Sequence, residues 1–141
     1  MTLGPGFVTG DDVLVAATGE LRIGSNVFLN GGSRIIAHER IEIGDNVVVA
    51  NGVSILDHDH RTHVEADDQG RGALVIEKFD FTTAPIRIGS NVWLGDKVTV
   101  LKGVTIGDNV IVGANAVVTR DVESGTVVAG IPATVIRKLD L

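Results

Sequence analysis

The chain contains no cysteine, a single tryptophan and only four phenylalanines. Without cysteine there is no disulfide, no thiol nucleophile and no cysteine-ligated metal, and the composition suits a reducing compartment. Positive charge is short as well. Twelve Lys and Arg stand against 18 Asp and Glu, leaving a net charge of −6, the opposite of the basic face that nucleic acid requires. Long apolar runs are missing: VVVA (47–50) is far below bilayer-spanning length. The N-terminal run MTLGPGFVTGDDV has no cationic stretch followed by an apolar one, so no signal peptide is expected. Serine nucleophile elbow, Walker loop and GxGxxG are all absent. The expectation is one cytoplasmic domain over 1–141, long enough to bury a core.

Glycine is abundant, at 18 residues, and so is a short repeat. Ile-Gly-(Ser/Asp)-Asn begins at Ile23, Ile43, Ile88 and Ile106, each time followed by Val. The last two copies are 18 residues apart, and from there on apolar pairs recur every six residues: Ile86/Ile88, Val92/Leu94, Val98/Val100, Val104/Ile106, Val110/Val112. Ala116/Val118 follow, and the first half does the same with Val27/Leu29, Ser33/Ile35, Ile41/Ile43, Val47/Val49 and Val53/Ile55. Residues two apart on a strand share a side, so each pair reads as a short strand with both side chains inward. The Gly or Asn that follows accepts the positive φ of a tight corner. Three strands and three corners per turn predict an all-β triangular coil, stacked at roughly 4.8 Å. The apolar spacing of three and four that an amphipathic helix needs is absent.

The interruptions carry the functional information. Let face one be the side with Ile23, Ile43, Ile88 and Ile106, face two the side with Leu29, Val49, Leu94 and Val112, and face three the side with Ile35, Ile55, Val100 and Val118. Extra residues fall between Ile35 and Ile43, between Ile55 and Ile88, and between Val15 and Ile23. All three insertions sit at the corner from face three to face one, and insertions on one edge of a solenoid point to its binding edge. A long loop over about 56–85 and a tail over about 123–141, possible as a helix, are expected. The outward residues of face two, Phe28, Val48, Trp93 and Ile111, form an apolar column, the signature of a self-association surface.

Three of the four histidines, His58, His60 and His63, lie in the long insertion, and His38 lies in the smaller one a coil earlier. An imidazole titrates near neutral pH, as a general base for a hydroxyl must. Asp57 or Asp59 is a candidate to orient its ring. Asp and His are also ordinary metal ligands, but residues one apart in a loop do not converge without further donors, and no metal is expected.

These segments resemble the hexapeptide-repeat acetyltransferases, left-handed β-helices that are usually trimers. The resemblance is most specific in IGDNVVVANGVSI (43–55), in 84–122 and in VVAGIPATVIRK (127–138). It is closest to the galactoside, maltose and xenobiotic branch and, through DHDH, to enzymes acting on surface-polysaccharide sugars. It implies a homotrimeric O-acetyltransferase that uses acetyl-CoA as donor and a saccharide as acceptor, without a transmembrane segment or nucleic-acid partner. His60 is then the general base with His58 second, and Asn30 and Trp93 meet the acceptor; His38 joins them as an acceptor-binding candidate from its place at the same corner. Trp93, Asp96, Ala114, Thr119, Arg120 and Arg137 meet the cofactor. The chain departs from the family's common Thr-Lys-Asp at Thr119-Arg120-Asp121, and has Thr134 where galactoside enzymes carry an Arg. The alternatives are N-acetylation of an amino sugar, a metal-dependent carbonic-anhydrase-like β-helix, and a structural β-helix without activity.

Overall fold

The computed structural model describes residues 1–141 as a left-handed parallel β-solenoid of about six coils, with an antiparallel hairpin inserted after the third. Face one joins Thr2–Leu3, Glu20–Ile23, Arg40–Ile43, Ile86–Ile88 and Thr105–Ile106. Face two joins Val8–Thr9, Val27–Leu29, Val47–Val49, Val92–Leu94, Val110–Val112 and Thr126–Gly130, with Ala133–Lys138 at its edge. Face three joins Leu14–Ala17, Arg34–Ala37, Ser54–Leu56, Thr99–Val100 and Val117–Val118.

The repeat builds this shape residue by residue. Its two apolar positions are buried and the residue between them is not, as in Val27–Leu29, Val47–Val49 and Ile86–Ile88. Twenty-six buried side chains, nearly all Ile, Val and Leu, stack into one core. The Asn of each copy turns the corner from face one to face two with φ between 54° and 57° at Asn26, Asn46, Asn91 and Asn109. Their amides bond one another up the stack at 3.3 Å. The Ser or Asp before each Asn accepts the backbone N–H of its counterpart one coil below: Asp45 from Ser25, Ser90 from Asp45, Asp108 from Ser90. The Gly has no room for a side chain, since a Cβ on Gly44 would stand 2.8 Å from the Gly89 carbonyl carbon. Ser33 takes an apolar position in the core, where its hydroxyl donates to the Ala50 carbonyl and accepts the Val53 N–H, so its burial is compensated.

Strand pairing shows the insertions directly. Partners on face one are 20 residues apart for Thr2↔Arg22 and Arg22↔Glu42, 45 for Glu42↔Arg87 and 18 for Arg87↔Thr105. The first coil starts at Thr2.

Two expectations need correction. The long insertion, expected as a loop, is a hairpin of His58–Ala66 against Gly72–Thr83. The tail is not helical: Ala133–Lys138 is a strand running antiparallel to Thr126–Gly130. The last coil leaves one edge of Thr126–Gly130 without a parallel neighbour, and its backbone groups need partners. Thr134, Val135 and Ile136, β-branched and stiff at χ1, suit a strand better than a helix.

Candidate active site

The corner from face three to face one stacks Thr18, His38, Asp57 with His58, Lys102, and Thr119 with Arg120, and the hairpin leaves the prism there. Asp57 is completely buried. Its carboxylate accepts the backbone N–H groups of His38 at 2.8 Å, Glu39 at 2.8 Å and Arg40 at 2.9 Å. It thereby ties the corner of the coil below to the root of the hairpin.

Above this anchor the rings of His38, His58, His60 and Phe81 form one cluster. The His38 and His58 centroids are 4.1 Å apart and nearly perpendicular, and His38 stacks on Phe81 at 5.2 Å. Phe81 also touches His58 at 5.5 Å and His60 at 5.0 Å. The Thr18 hydroxyl is 2.9 Å from His38 Nδ1. His58 Nδ1 is buried without a hydrogen-bond partner, 3.5 Å from Asp57 Oδ1. His60 faces Phe81 across the hairpin, and its Nδ1 lies 3.1 Å from the Glu77 carbonyl oxygen. A carbonyl oxygen only accepts, so Nδ1 carries the hydrogen and, in the neutral ring, Nε2 holds the lone pair. His63 lies farther out, between Glu65 and Glu77.

Neither aspartate plays the simple orienting part its position suggests. Asp57 spends its lone pairs on three backbone donors, and Asp59 meets Lys102 Nζ at 3.1 Å rather than a ring. The structure brings His38, His58 and His60 together and adds Thr18, Phe81 and the Glu77 carbonyl. The sequence gives little signal for Phe81, because its contacts depend on the hairpin register.

The remaining expected residues lie elsewhere. Asn30, Asp96 and Ala114 occupy the corner from face two to face three, where Asp96 accepts the Asn51 N–H at 3.0 Å. Thr119 and Arg120 sit at the opposite end of face three, on the histidine edge. Arg137 lies on the outer tail strand, opposite Val127. Trp93 is half exposed on face two between Val48 and Ile111, with Leu139 and Leu141 beside it. Phe28 and Val48 are exposed in the same column. A single prism therefore carries its histidines and Trp93 on different sides. No helix is long and apolar enough to cross a membrane.

Residues 85–120 match the family described as bacterial transferase hexapeptide (six repeats), and residues 20–57 match the hexapeptide repeat of succinyl-transferase. The chain is 34% identical over 140 residues to the putative lipopolysaccharide biosynthesis O-acetyl transferase WbbJ of Escherichia coli (strain K12), covering 98% of this chain and 71% of that protein. It is 38% identical over 120 residues to the galactoside O-acetyltransferase of the same strain, covering 85% of this chain but only 55% of that protein's length. Among solved structures, the hexapeptide-repeat acetyltransferase VCA0836 from Vibrio cholerae, complexed with acetyl-CoA, superposes with a TM-score of 0.71 at 27% identity, over 99% of this chain and 72% of that one. Repeat, prism and relatives agree: the chain belongs to the hexapeptide-repeat acetyltransferase family.

Proposed function

We propose that this chain transfers the acetyl group of acetyl-CoA to a hydroxyl of a saccharide, in a ternary complex and with His60 as general base. The hydrogen bond from His60 Nδ1 to the Glu77 carbonyl carries this reading, because it leaves Nε2 free to accept a proton. The acceptor hydroxyl gives its proton to Nε2 as its oxygen attacks the thioester carbonyl carbon. The C–S bond then breaks, and the departing CoA sulfur takes the proton back from His60. Backbone N–H groups at a coil corner supply the oxyanion contact. The relatives named as O-acetyltransferases support a hydroxyl over an amine acceptor, and the relative complexed with acetyl-CoA supports the donor.

Asn30, His38 and Trp93 are assigned to the acceptor, and Asp96, Ala114, Thr119, Arg120 and Arg137, with Trp93, to CoA. His58, whose Nδ1 faces Asp57, is the second choice as base. Packing of three subunits through face two would bring the histidine edge of one chain to Trp93 of the next, so the site is read as shared between subunits of a homotrimer. In a coupled thiol-release assay over a panel of sugars, His60→Ala should lose roughly 10²–10⁴-fold in rate with the oligomer intact. A wild-type rate would pass the role to His58. Acetylation of amino sugars alone would replace the hydroxyl acceptor.

A further inference from the structure

Lys102 plays no part in the chemistry above, yet it is the one cation that reaches the root of the hairpin from the coil stack. Its ammonium lies 3.1 Å from Asp59 Oδ2 and donates to the Thr82 hydroxyl at 2.6 Å. Asp59 and Thr82 face each other across the hairpin, on the rung between His58–Thr83 and His60–Phe81. A single side chain from the fourth coil thus grips both arms of the hairpin between the two histidine rungs.

We propose that Lys102 is a positioning residue: it pins the histidine-bearing strand to the prism edge and so sets where His60 Nε2 stands. This rests on the reading of His60 as base. A two-stranded hairpin is marginal by itself, and the ladder is irregular just beyond His60, between His60 and Thr62. The strand therefore needs an external hold at its root. Asp57 holds the chain where it leaves the coil; Lys102 holds the next rung outward. The Asp59 side chain is more than half exposed, so this pair adds little to global stability. What it supplies is position, and a displacement of about 1 Å at a reacting group can cost on the order of a hundredfold in rate.

The test pairs kinetics with amide hydrogen exchange on the full chain. Lys102→Met and Asp59→Asn should each speed exchange across residues 58–83 in the ligand-free protein and leave coil amides unchanged. kcat should fall by about ten- to a hundredfold with the KM for acetyl-CoA unaltered, and Lys102→Arg should lie nearer wild type. The double variant should lose no more than Lys102→Met alone, since that substitution already removes the contact with Asp59. Unchanged exchange overturns the staple, and a raised KM for acetyl-CoA at full kcat overturns it in favour of direct cofactor contact. Faster exchange alongside a fully active His60→Ala leaves the staple standing but overturns its catalytic consequence.

Discussion

At the scale of single residues, Asp57 shows how a polar side chain earns a place inside an apolar stack. Three backbone N–H groups converge on one fully buried carboxylate. Removing it takes the shared buried acceptor away from all three backbone donors. Asp57→Ala should therefore cost about 1–3 kcal/mol, read as a lower denaturant midpoint, whereas Asp57→Asn, which keeps one carbonyl acceptor, should cost less. Equal midpoints for wild type and Asp57→Ala would remove the anchor role. Gly44 makes the complementary case, where the needed property is the missing side chain. An added Cβ meets the Gly89 backbone and the Ser90 hydroxyl at 2.6–2.8 Å, so Gly44→Ala should destabilise by roughly 1–3 kcal/mol through overpacking. Both effects come from stacking between coils, not from local propensity.

At the scale of elements, the hairpin is the part of the molecule with the least behind it. Val64, Leu74, Ile76 and Phe79 are all exposed along it, Phe79 at 94%. Its turn is organised by Asp67, whose carboxyl is held below its ordinary value of 3.8, first by the Arg71 backbone N–H and then by the Arg71 guanidinium, against an opposing desolvation that exceeds the last contribution, from the Gln69 N–H. A depressed carboxyl pKa means that its contribution is fully present above the unfolded value and is lost as pH falls through the folded one. The Gln69 and Arg71 amide shifts should thus titrate with a midpoint below 3.8, and Asp67→Asn should abolish that transition in NMR. A midpoint at or above the ordinary value would discount the turn contacts. The length of the insertion and its crowd of histidines were legible in the chain. Its hairpin form was not, because HDHRTHVEA and GALVIEKFDFTT lack a strict apolar-polar alternation and pair through an irregular register. The strand form of the tail was not legible either: whether a short apolar run becomes helix or strand depends on an open sheet edge beside it, which no local window contains.

At the scale of the whole molecule, the apolar column on face two and the histidine edge belong to different sides of one prism. Trp93 is half exposed at the centre of that column, which is costly for an aromatic in water and favourable at an interface. Light scattering at micromolar concentration should report a trimer, and Val48→Glu should shift it toward monomer by placing charge in the contact. If the site is shared, His60→Ala and Trp93→Ala subunits, each inactive as a pure species, should regain part of the activity when exchanged into mixed trimers. Absence of recovery after confirmed exchange would place the whole site within one chain.

The six-residue repeat by itself determined the prism: which residues face inward, where the corners turn and which corner takes the insertions. Each of those properties is settled within a few residues, by strand alternation, by the left-handed tolerance of Asn and by the bare backbone of Gly. The tertiary structure decided what the corner contains. Phe81 meets His38 and His58, Asp57 caps the coil below, Lys102 grips Asp59 and Thr82, and the Glu77 carbonyl fixes the tautomer of His60. These partners lie between 17 and 43 residues apart in the chain. Only the stacking of coils and the register of the hairpin, which depend on all the strands at once, bring them within contact.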